Sequence, residues 1–419
     1  MELRTTVPAE TVHPASSPSD PAVLVVGAGP AGSATAYWLA RSGHSVLLVD
    51  RSEFPRDKAC SEYLGPGAAD LLARIGLLEE LRGCSNPLTG TTVVAARGSR
   101  LTGLFGLAST QRPGAVGLSI TRRVLDAALL RKATEAGARF LPRCTVEDLL
   151  IENGAVLGAV VREAGGGHRT IRARLTVGAD GLRSVVARRL GGVTSSSPRR
   201  MAFVTHVRGV TGLDTRAEMH VGPAGYVGLN PLGDDLTNVA LVLRADLAAD
   251  ARGQLEDFVF AALDTFPGVR DRIPRNGLAR PIMATGPFSA RAKNVLTDGA
   301  LLVGDAADFF DPFTGEGVYS ALRGAEMAAA TIHHALEIPG PVTAKSLTPY
   351  RRARRKAFLG KWMVERMIGY GMQAPALFDR AVSRLGRRGS MAHTLIGVTA
   401  DFVPAGKVLN PLFLSRMVL

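Results

Sequence analysis

The sequence of this 419-residue chain predicts an α/β protein with a βαβ domain, an antiparallel-sheet domain and a helical C-terminal region. Three observations support this fold class. A glycine-rich turn joins two apolar strands within residues 22–50, and two further strand–turn–helix units follow at 175–190 and 294–330. Between them, residues 196–290 contain strand-like segments such as RMAFVTHVRGV and LTNVALVLRAD, which indicate an antiparallel sheet.

The first turn, in AVLVVGAGPAGSATAYWLARSGHSVLLVD (22–50), has the spacing of a dinucleotide-binding site. Gly27 permits the tight turn, Gly29 lets a pyrophosphate approach the backbone, and Gly32 lets the helix pack on the strand. The helix N-terminus favours negative phosphates. Asp50 ends the second strand, where an acid accepts hydrogen bonds from a ribose. We therefore predict a Rossmann-like domain that binds an ADP moiety.

The two later units suggest what completes that ligand. Asp305 follows the strand in ALLVGD, a position suited to a polyol hydroxyl such as ribityl. A helix beginning at Gly317 directs its N–H groups at a group that becomes anionic. The N1–C2=O2 edge of a flavin gains negative charge on reduction. The sequence thus predicts FAD, with its ADP end on the first turn and its redox end on the last.

The loop RSEFPRDKACSEYLGPGA (51–68) follows the first unit and is punctuated by Gly and Pro, with three cations and three acids. Arg56 and Lys58 are candidates to flank the pyrophosphate, and Cys60 is a candidate to face the flavin ring. The alternative is a surface loop with a small buried cysteine.

The motifs GAGPAG, GADG and GDAADFFDPFTGEG together resemble those of flavoprotein hydroxylases of the para-hydroxybenzoate hydroxylase type and of geranylgeranyl-reductase-like flavoproteins. The resemblance covers about residues 22–335, and the Lys-x-Cys loop looks most like the reductase branch. It places Pro312 and Phe313 beside the flavin ring. It implies FAD contacts by Gly27, Gly29, Gly32, Asp50, Arg51, Lys58, Arg122, Val146, Asp180, Gly304, Asp305, Gly315 and Gly317. Relatives often have Ala-His after the Gly-Asp, where this chain has Ala-Asp-Phe-Phe.

The sequence contains no second GxGxxG turn, so we expect no separate NAD(P)H domain. NAD(P)H as reductant would then dock transiently in a surface groove, or a partner would supply the electrons. We divide the chain into a disordered lead-in (1–20), an FAD-binding domain (21–85, 120–195 and 291–340), a substrate-binding sheet (86–119 and 196–290) and a helical cap (341–419).

The resemblance implies two competing activities. One is NAD(P)H- and O2-dependent hydroxylation, through a flavin C4a-hydroperoxide, of a hydrophobic aromatic, polyketide or meroterpenoid-like molecule of secondary metabolism. The alternative is reduction of isoprenoid double bonds by hydride transfer. Geranylgeranyl reductases typically carry Tyr-x-Trp-x-Phe-Pro on the sheet above the flavin, and here Gly228 and Asn230 replace the Trp and Phe. These replacements make the wall above the flavin more open and more polar than a prenyl chain requires, which favours the monooxygenase.

Two further function classes are less favoured. Flavin halogenases are expected to show Trp-x-Trp-x-Ile-Pro, whereas Trp38 and Trp362 are the only tryptophans. An FAD-carrying sensor without enzyme activity is disfavoured because all the flavin turns are intact. Tyr226, Asn230 and His206 are the candidate substrate residues, although His206 also suits a hydrogen-bonded strand histidine. Cys60, Pro312 and Phe313 are candidates near the flavin ring.

Composition limits the partners. The net charge of +13 is spread along the chain and accompanies no aromatic-rich nucleic-acid module, so we expect no nucleic-acid binding. Three cysteines without metal-ligand spacing predict a reducing, cytoplasmic setting and no metal site. The basic segment 350–367 is either a solvated helix face or a peripheral contact with anionic membrane. The expected partners are a small hydrophobic substrate and O2.

Overall fold

The structure, a computed structural model, describes residues 20–251 and 253–418. The predicted disordered lead-in at 1–20 therefore lies, apart from Asp20, outside the described residues. The α-helices are α1 Pro30–Arg41, α2 Pro66–Ile75, α3 Leu78–Arg82, α4 Phe105–Ala108, α5 Arg122–Glu135, α6 Val185–Arg189, α7 Leu255–Leu263, α8 Gly317–Glu337, α9 Ala344–Gly371, α10 Pro375–Arg387, α11 Gly389–Thr399 and α12 Pro411–Val418.

The strands belong to one mostly parallel sheet, one large mixed sheet and three small sheets. They are β1 Val23–Val26, β2 Val46–Val49, β3 Tyr63–Leu64, β4 Asn86–Leu88, β5 Gly90–Val94, β6 Arg100–Leu104, β7 Gly117–Ser119, β8 Arg139–Leu141, β9 Thr145–Glu152, β10 Ala155–Arg162, β11 His168–Arg172, β12 Leu175–Gly178, β13 Val193–Ser195, β14 Arg200–Arg208, β15 Arg216–Gly222, β16 Gly225–Gly233, β17 Leu236–Arg244, β18 Met283–Thr285, β19 Ala290–Ala292, β20 Leu296–Thr297, β21 Ala300–Leu302 and β22 Asp308–Phe309.

The parallel sheet has the order β20-β21-β12-β1-β2-β8, in which only the edge strand β20 runs antiparallel. Its strands β1, β2, β12 and β21 are buried throughout, because helices such as α1, α5 and α8 cover one face and the small sheet β9–β10–β11 with α6 covers the other. The carboxyl ends of β1, β12 and β21, which are distant in sequence, therefore meet at one edge. The predicted α/β class with a Rossmann-like βαβ domain is confirmed.

The large sheet has the order β18-β14-β17-β16-β15-β5-β6 and joins strands from residues 90–104 to strands from 200–285. It is antiparallel except where β15 pairs with β5. Side chains alternate across it: Val227 and Leu229 pack with α7, while Tyr226 and Val242 face the opposite side. That opposite side forms a roof over the edge of the parallel sheet.

The C-terminal helices pack against both layers. Helix α8 contacts α1 of the parallel-sheet domain, whereas α10 and α11 contact β6 at the edge of the roof. None of the helices in the described ranges is both long and apolar enough to cross a membrane.

Candidate functional site

One cavity of about 810 Å³ lies between the turns of the parallel sheet, the roof and the C-terminal helices. It brings together most of the residues selected from the sequence. Those that line it are Gly27, Gly29, Asp50, Arg51, Arg56, Lys58, Cys60, Arg122, Val146, Asp180, Tyr226, Asn230, Asp305, Pro312, Phe313, Gly315 and Gly317. Three others, Gly32, Gly304 and His206, lie outside this lining.

The first glycine turn has the conformation that its sequence predicts. Gly27 has a φ of +98°, and a Cβ there would lie 2.6 Å from the carbonyl oxygen of Ala179. Asp50 is held by two backbone donors, since its Oδ2 accepts from the N–H of Ala28 (2.7 Å) and its Oδ1 from that of Ser52 (2.8 Å). The carboxylate is thereby fixed at the end of β2, where the resemblance places a ribose.

Gly32 and Gly304 act on this turn through packing. A Cβ on Gly32 would lie 1.7 Å from the carbonyl oxygen of Gly27, so α1 can approach the turn only with glycine at this position. Gly304 has a φ of +64°, and a Cβ there would be 2.9 Å from that of Ala31. Both glycines therefore allow the close packing of α1 that supports the cavity wall, although neither lines the cavity.

Replacing Gly32 with alanine is expected to weaken FAD binding at least tenfold, because the added methyl group must push α1 away from Gly27. Titration of the apoprotein with FAD, followed by flavin fluorescence, measures this change. Gly165→Ala is the matched control, since a Cβ there meets nothing within 4 Å. Equal FAD affinity in the two variants would contradict the packing role.

Two guanidinium groups lie at the first turn. Asp126, which is fully buried, accepts two hydrogen bonds from Arg122 (2.6 and 2.7 Å) and lies 3.1 Å from Arg56. This shared carboxylate keeps both cations beside Gly29, whose Cβ position is 3.7 Å from Arg56 Nη2 and 3.9 Å from Arg122 Nη2. A pyrophosphate at that glycine would meet two fixed cations.

Lys58 and Asp305 supply a direct test of whether FAD fits. Both line the cavity, yet among the described residues neither makes a hydrogen bond or an ion pair. Burial raises the pKa of Asp305 to about 6, although Lys58 and Arg122 act in the opposite direction. Burial lowers the pKa of Lys58, and the neighbouring arginines add to this effect. Charged groups left without partners inside a cavity suit a ligand that carries hydroxyl and phosphate groups.

Asp180 has a structural role beside the cavity. Its carboxylate accepts from the N–H of Val185 and from the hydroxyl of Ser184, both at 2.6 Å, and so caps α6. The GADG motif thereby fixes the wall opposite Gly27, whose turn packs on Ala179.

The turn Asp311–Gly317 is held from the roof. Asp311 is buried and accepts hydrogen bonds from Arg200 Nη1 (2.6 Å), Tyr226 Oη (2.7 Å) and the N–H of Phe313 (3.0 Å). Gly315 has a φ of +69°, and its Cβ position is 2.6 Å from the ring of Tyr63. The hydroxyl of Tyr226, selected as a substrate contact, thus already donates to this turn. We call Asp311–Gly317 the flavin turn, because the sequence assigns the redox end of FAD to it.

Asn230 and His206 belong to a polar row that the sequence analysis did not assemble. They are cross-strand neighbours of Asn238, which lies between them on β17. Asn230 donates to the carbonyl of Ser61 (3.0 Å) and to the hydroxyl of Ser119 (2.7 Å). Asn230 thus contacts the loop that carries Cys60 through its amide nitrogen, while its buried Oδ1 has no hydrogen-bond partner among the described residues.

Glu62 is the centre of that row. It has a φ of +57°, and its Oε2 lies 2.6 Å from His206 Nε2 and accepts from Asn238 Nδ2 at 3.0 Å. Its Oε1 accepts from the N–H of Arg122 (3.0 Å). Polar residues interrupting the apolar strands β14 and β17 were the available sequence signal. His206 and Asn238 on these strands contact Glu62 and so hold the Lys58–Cys60 loop against the roof.

A second buried cluster lies at the start of α8. Lys361 Nζ is 2.5 Å from Glu316 Oε2 and 2.9 Å from Asp401 Oδ1. Burial raises the pKa of Asp401 to about 6 and that of the neighbouring Glu365 to about 7, although Lys361 opposes both shifts. The three carboxyl groups outnumber the one cation, and burial favours the neutral form of each of them. Its members come from three separated segments, so no local motif in the sequence indicates it.

The cavity continues beyond the flavin turn as an apolar extension. There the roof faces α9, α10, α11 and α12. The C-terminal residues lining it are Met367, Ile368, Gly371, Leu377, Phe378, Ala381, Val382, Leu385, Leu395, Ile396, Thr399 and Met417. Apart from Thr399 these offer no polar side chain, so the extension suits an apolar ligand.

Two adjacent histidines of α8, the partly exposed His333 and the exposed His334, lie beside Glu337 and His44. Ligand atoms of His333, His334 and Glu337 lie within 4.8 Å of one another, and His333 also contacts His44 at 2.9 Å. His334 and Glu337 are exposed, and the group lies at the C-terminal end of α8, whose first residue Gly317 lines the cavity. The expectation of no metal site stays a prediction.

The fold and the cavity define an FAD-dependent oxidoreductase. Residues 20–359 match the "FAD binding domain" family, and the chain belongs to this family. The predicted superfamily and its FAD cofactor are thereby confirmed.

Named relatives and a solved structure share most of the chain. It is 31% identical over 353 residues to digeranylgeranylglycerophospholipid reductase of Methanospirillum hungatei, covering 81% of this chain and 82% of that protein. It is 30% identical over 325 residues to menaquinone reductase of Mycolicibacterium smegmatis, covering 73% and 75%. The myxobacterial chondrochloren halogenase, a solved FAD-dependent structure, superposes with a TM-score of 0.75 at 25% identity, covering 83% and 82%.

Proposed function

We propose that this protein reduces carbon–carbon double bonds in the isoprenoid chain of a lipid, using FAD. The observation that carries the proposal is the apolar extension of the cavity, which runs from the flavin turn to the C-terminal helices. The two named reductases act, by their names, on lipids or quinones, and they support this reading over the hydroxylation that the roof sequence favoured.

The roof substitutions have a second explanation that removes the argument for a hydroxylase. The amide nitrogen of Asn230 donates to Ser61 and Ser119, so this side chain anchors a loop, and only its Oδ1 is left without a partner. A Cβ on Gly228 would approach Met219 Sδ to 3.3 Å, so methionine fills part of the space above this glycine. An apolar wall therefore remains, built from different residues.

Bound FAD supplies a hydride when it is reduced, and NAD(P)H is the proposed source of those electrons. Saturating a double bond also needs a proton at the second carbon. Tyr63 lines the cavity beside Gly315, and burial raises the pKa of its phenol well above the usual value. Its hydroxyl, like that of any tyrosine, is protonated at neutral pH, and the raised pKa makes it a weaker acid than an exposed tyrosine. The apolar walls exclude water from the chain that is being reduced.

A mass measurement separates the candidate reactions. Purified FAD-loaded protein is incubated with NADH or NADPH, chloride and labelled O2, with a geranylgeranyl phospholipid or menaquinone as substrate. We expect a product two hydrogens heavier per reduced bond and free of label. A gain of one labelled oxygen would instead establish the monooxygenase, and a gain of chlorine a halogenase.

Blocking the extension is expected to separate long from short substrates. Ala381→Trp fills the lining between α10 and the roof, so kcat/KM for a chain of four isoprene units should fall at least tenfold. A two-unit chain should be much less affected. Ala376→Trp introduces the same side chain at an exposed position of the same helix and is the matched control. Equal loss for both chain lengths would argue against a chain-binding extension.

A further inference from the structure

We propose that the surface around the outer end of this extension docks on an anionic phospholipid membrane. We call it the mouth face and define it by two sets of residues on α9 and α10. The apolar set is Leu359, Met363, Tyr370 and Leu377, and the cationic set is Arg352, Arg355, Lys356, Arg366, Arg380, Arg384 and Arg387. The inference goes beyond the proposed reaction, since it concerns how the protein meets its surroundings.

Leu377 marks where the cavity reaches the surface. It lines the apolar extension, yet 47% of its surface is exposed. Tyr370, 48% exposed, lies one residue before Gly371, which also lines the cavity. The opening between α9 and α10 is thus bordered by large apolar side chains that have no covering element among the described residues.

The apolar set extends along α9 in a helical stripe. Met363 and Leu359 are about half exposed and precede Tyr370 by seven and eleven residues, a spacing that keeps all three on one helix face. The cations of α9 share that face. They occupy positions 352, 355, 356 and 366, and each of them is three, four or seven residues away from Leu359, Met363 or Tyr370. An exposed apolar stripe inside a cationic border is the pattern of an interfacial helix.

The charges of the mouth face are available for a partner. Within residues 20–251 and 253–418, no ion pair or side-chain hydrogen bond engages the cationic set, and Arg366 only stacks over Phe310. On α10, Arg380, Arg384 and Arg387 share one groove with Arg388 and a single acid, Asp379, which already accepts from Ser99. The other nearby acid on α9, Glu365, points into the buried cluster.

A membrane fits this combination better than a nucleic acid does. Phosphate groups of either partner would neutralise the arginines, but only a bilayer also accepts exposed Leu, Met and Tyr side chains. Docked in this way, the opening at Leu377 would face the interfacial region of the bilayer. A lipid chain could then enter the extension without crossing water.

Flotation of the FAD-loaded protein with vesicles tests the proposal. We expect binding to vesicles of phosphatidylcholine with 30% phosphatidylglycerol (about one anionic lipid in three), weak binding to phosphatidylcholine alone, and weakening as salt is raised. Arg380→Gln/Arg384→Gln/Arg387→Gln should weaken the partitioning about 100-fold, from about 1 kcal/mol per cation. Exposed arginines elsewhere provide the matched control, Arg139→Gln/Arg188→Gln/Arg270→Gln, which should bind as the unmodified protein does.

A second variant, Met363→Ser/Leu359→Ser, should also reduce flotation, because it removes apolar contact while leaving every charge in place. Absence of vesicle binding would overturn the proposal, as would equal binding to neutral vesicles or equal losses in the test and control arginine variants. Retention on immobilised DNA without flotation would assign the arginines to a nucleic acid instead. Because flotation needs no turnover, its result is independent of whether the proposed reduction is correct.

Discussion

Replacing Asp311 with alanine is expected to lower the free energy of unfolding by about 3–5 kcal/mol. The side chain of Arg200 is 5% exposed and its guanidinium donates to this carboxylate, so the variant leaves a buried cation without its counter-charge. Tyr226 loses its acceptor at the same time. Urea denaturation of the apoprotein, monitored by circular dichroism, measures the change.

The same substitution should also weaken FAD binding, because Asp311 fixes the N–H of Phe313 at the start of the flavin turn. Asp257→Ala, which breaks an exposed pair with Arg275, is the control and should leave both properties nearly unchanged. If the alanine variant fails to fold, Asp311→Asn still tests the idea, since it removes the charge and keeps an acceptor. Unchanged stability in Asp311→Asn would show that Arg200 does not depend on this charge.

Replacing Glu365 with glutamine is expected to stabilise the protein above pH 7, by an amount on the order of 2 kcal/mol. Burial raises the pKa of Glu365 from 4.5 to about 7, so between these pH values the folded chain keeps a proton that the unfolded chain loses. Stability contributed by this group is therefore present at low pH and is lost as the pH rises through about 7. Glutamine keeps the neutral form at every pH.

The measurement is the urea midpoint of both proteins at pH 5, 6, 7 and 8. The unmodified chain should lose stability across this range relative to Glu365→Gln, and the two curves should approach each other at pH 5. Glu256→Gln changes an exposed acid and should follow the unmodified protein. Parallel curves for Glu365→Gln and the unmodified chain would show that Glu365 carries no proton in the folded state.

The parts of this molecule that the sequence predicted are those whose chemistry is local. Gly27, Gly32 and Asp50 lie within a single βαβ unit, so their spacing along the chain determines their geometry. Asp305 and Gly317 were found for the same reason. The meeting of these units at one cavity followed from the rule that parallel strands share a carboxyl edge.

The remaining site residues depend on pairs that are far apart in sequence. Tyr226 and Asn230, selected as substrate contacts, line the cavity from the roof, but their hydrogen bonds go to Asp311 and to the loop at Ser61. Such pairings depend on sheet register and on how loops return, and neither is encoded locally. The wall of the apolar extension was missed likewise, because its residues come from C-terminal helices that carry no motif.

The order of strands in the parallel sheet determines when a newly made chain can first hold its cofactor. Strand β1, at residues 23–26, pairs with β12 at 175–178, and β12 in turn pairs with β21 at 300–302. The flavin turn comes later still, ending at Gly317. During synthesis β1 keeps one edge open until β12 has been made, and β12 then keeps one edge open until β21 has left the ribosome. A complete FAD cavity can therefore form only late in the synthesis of this enzyme, after Gly317 has been added.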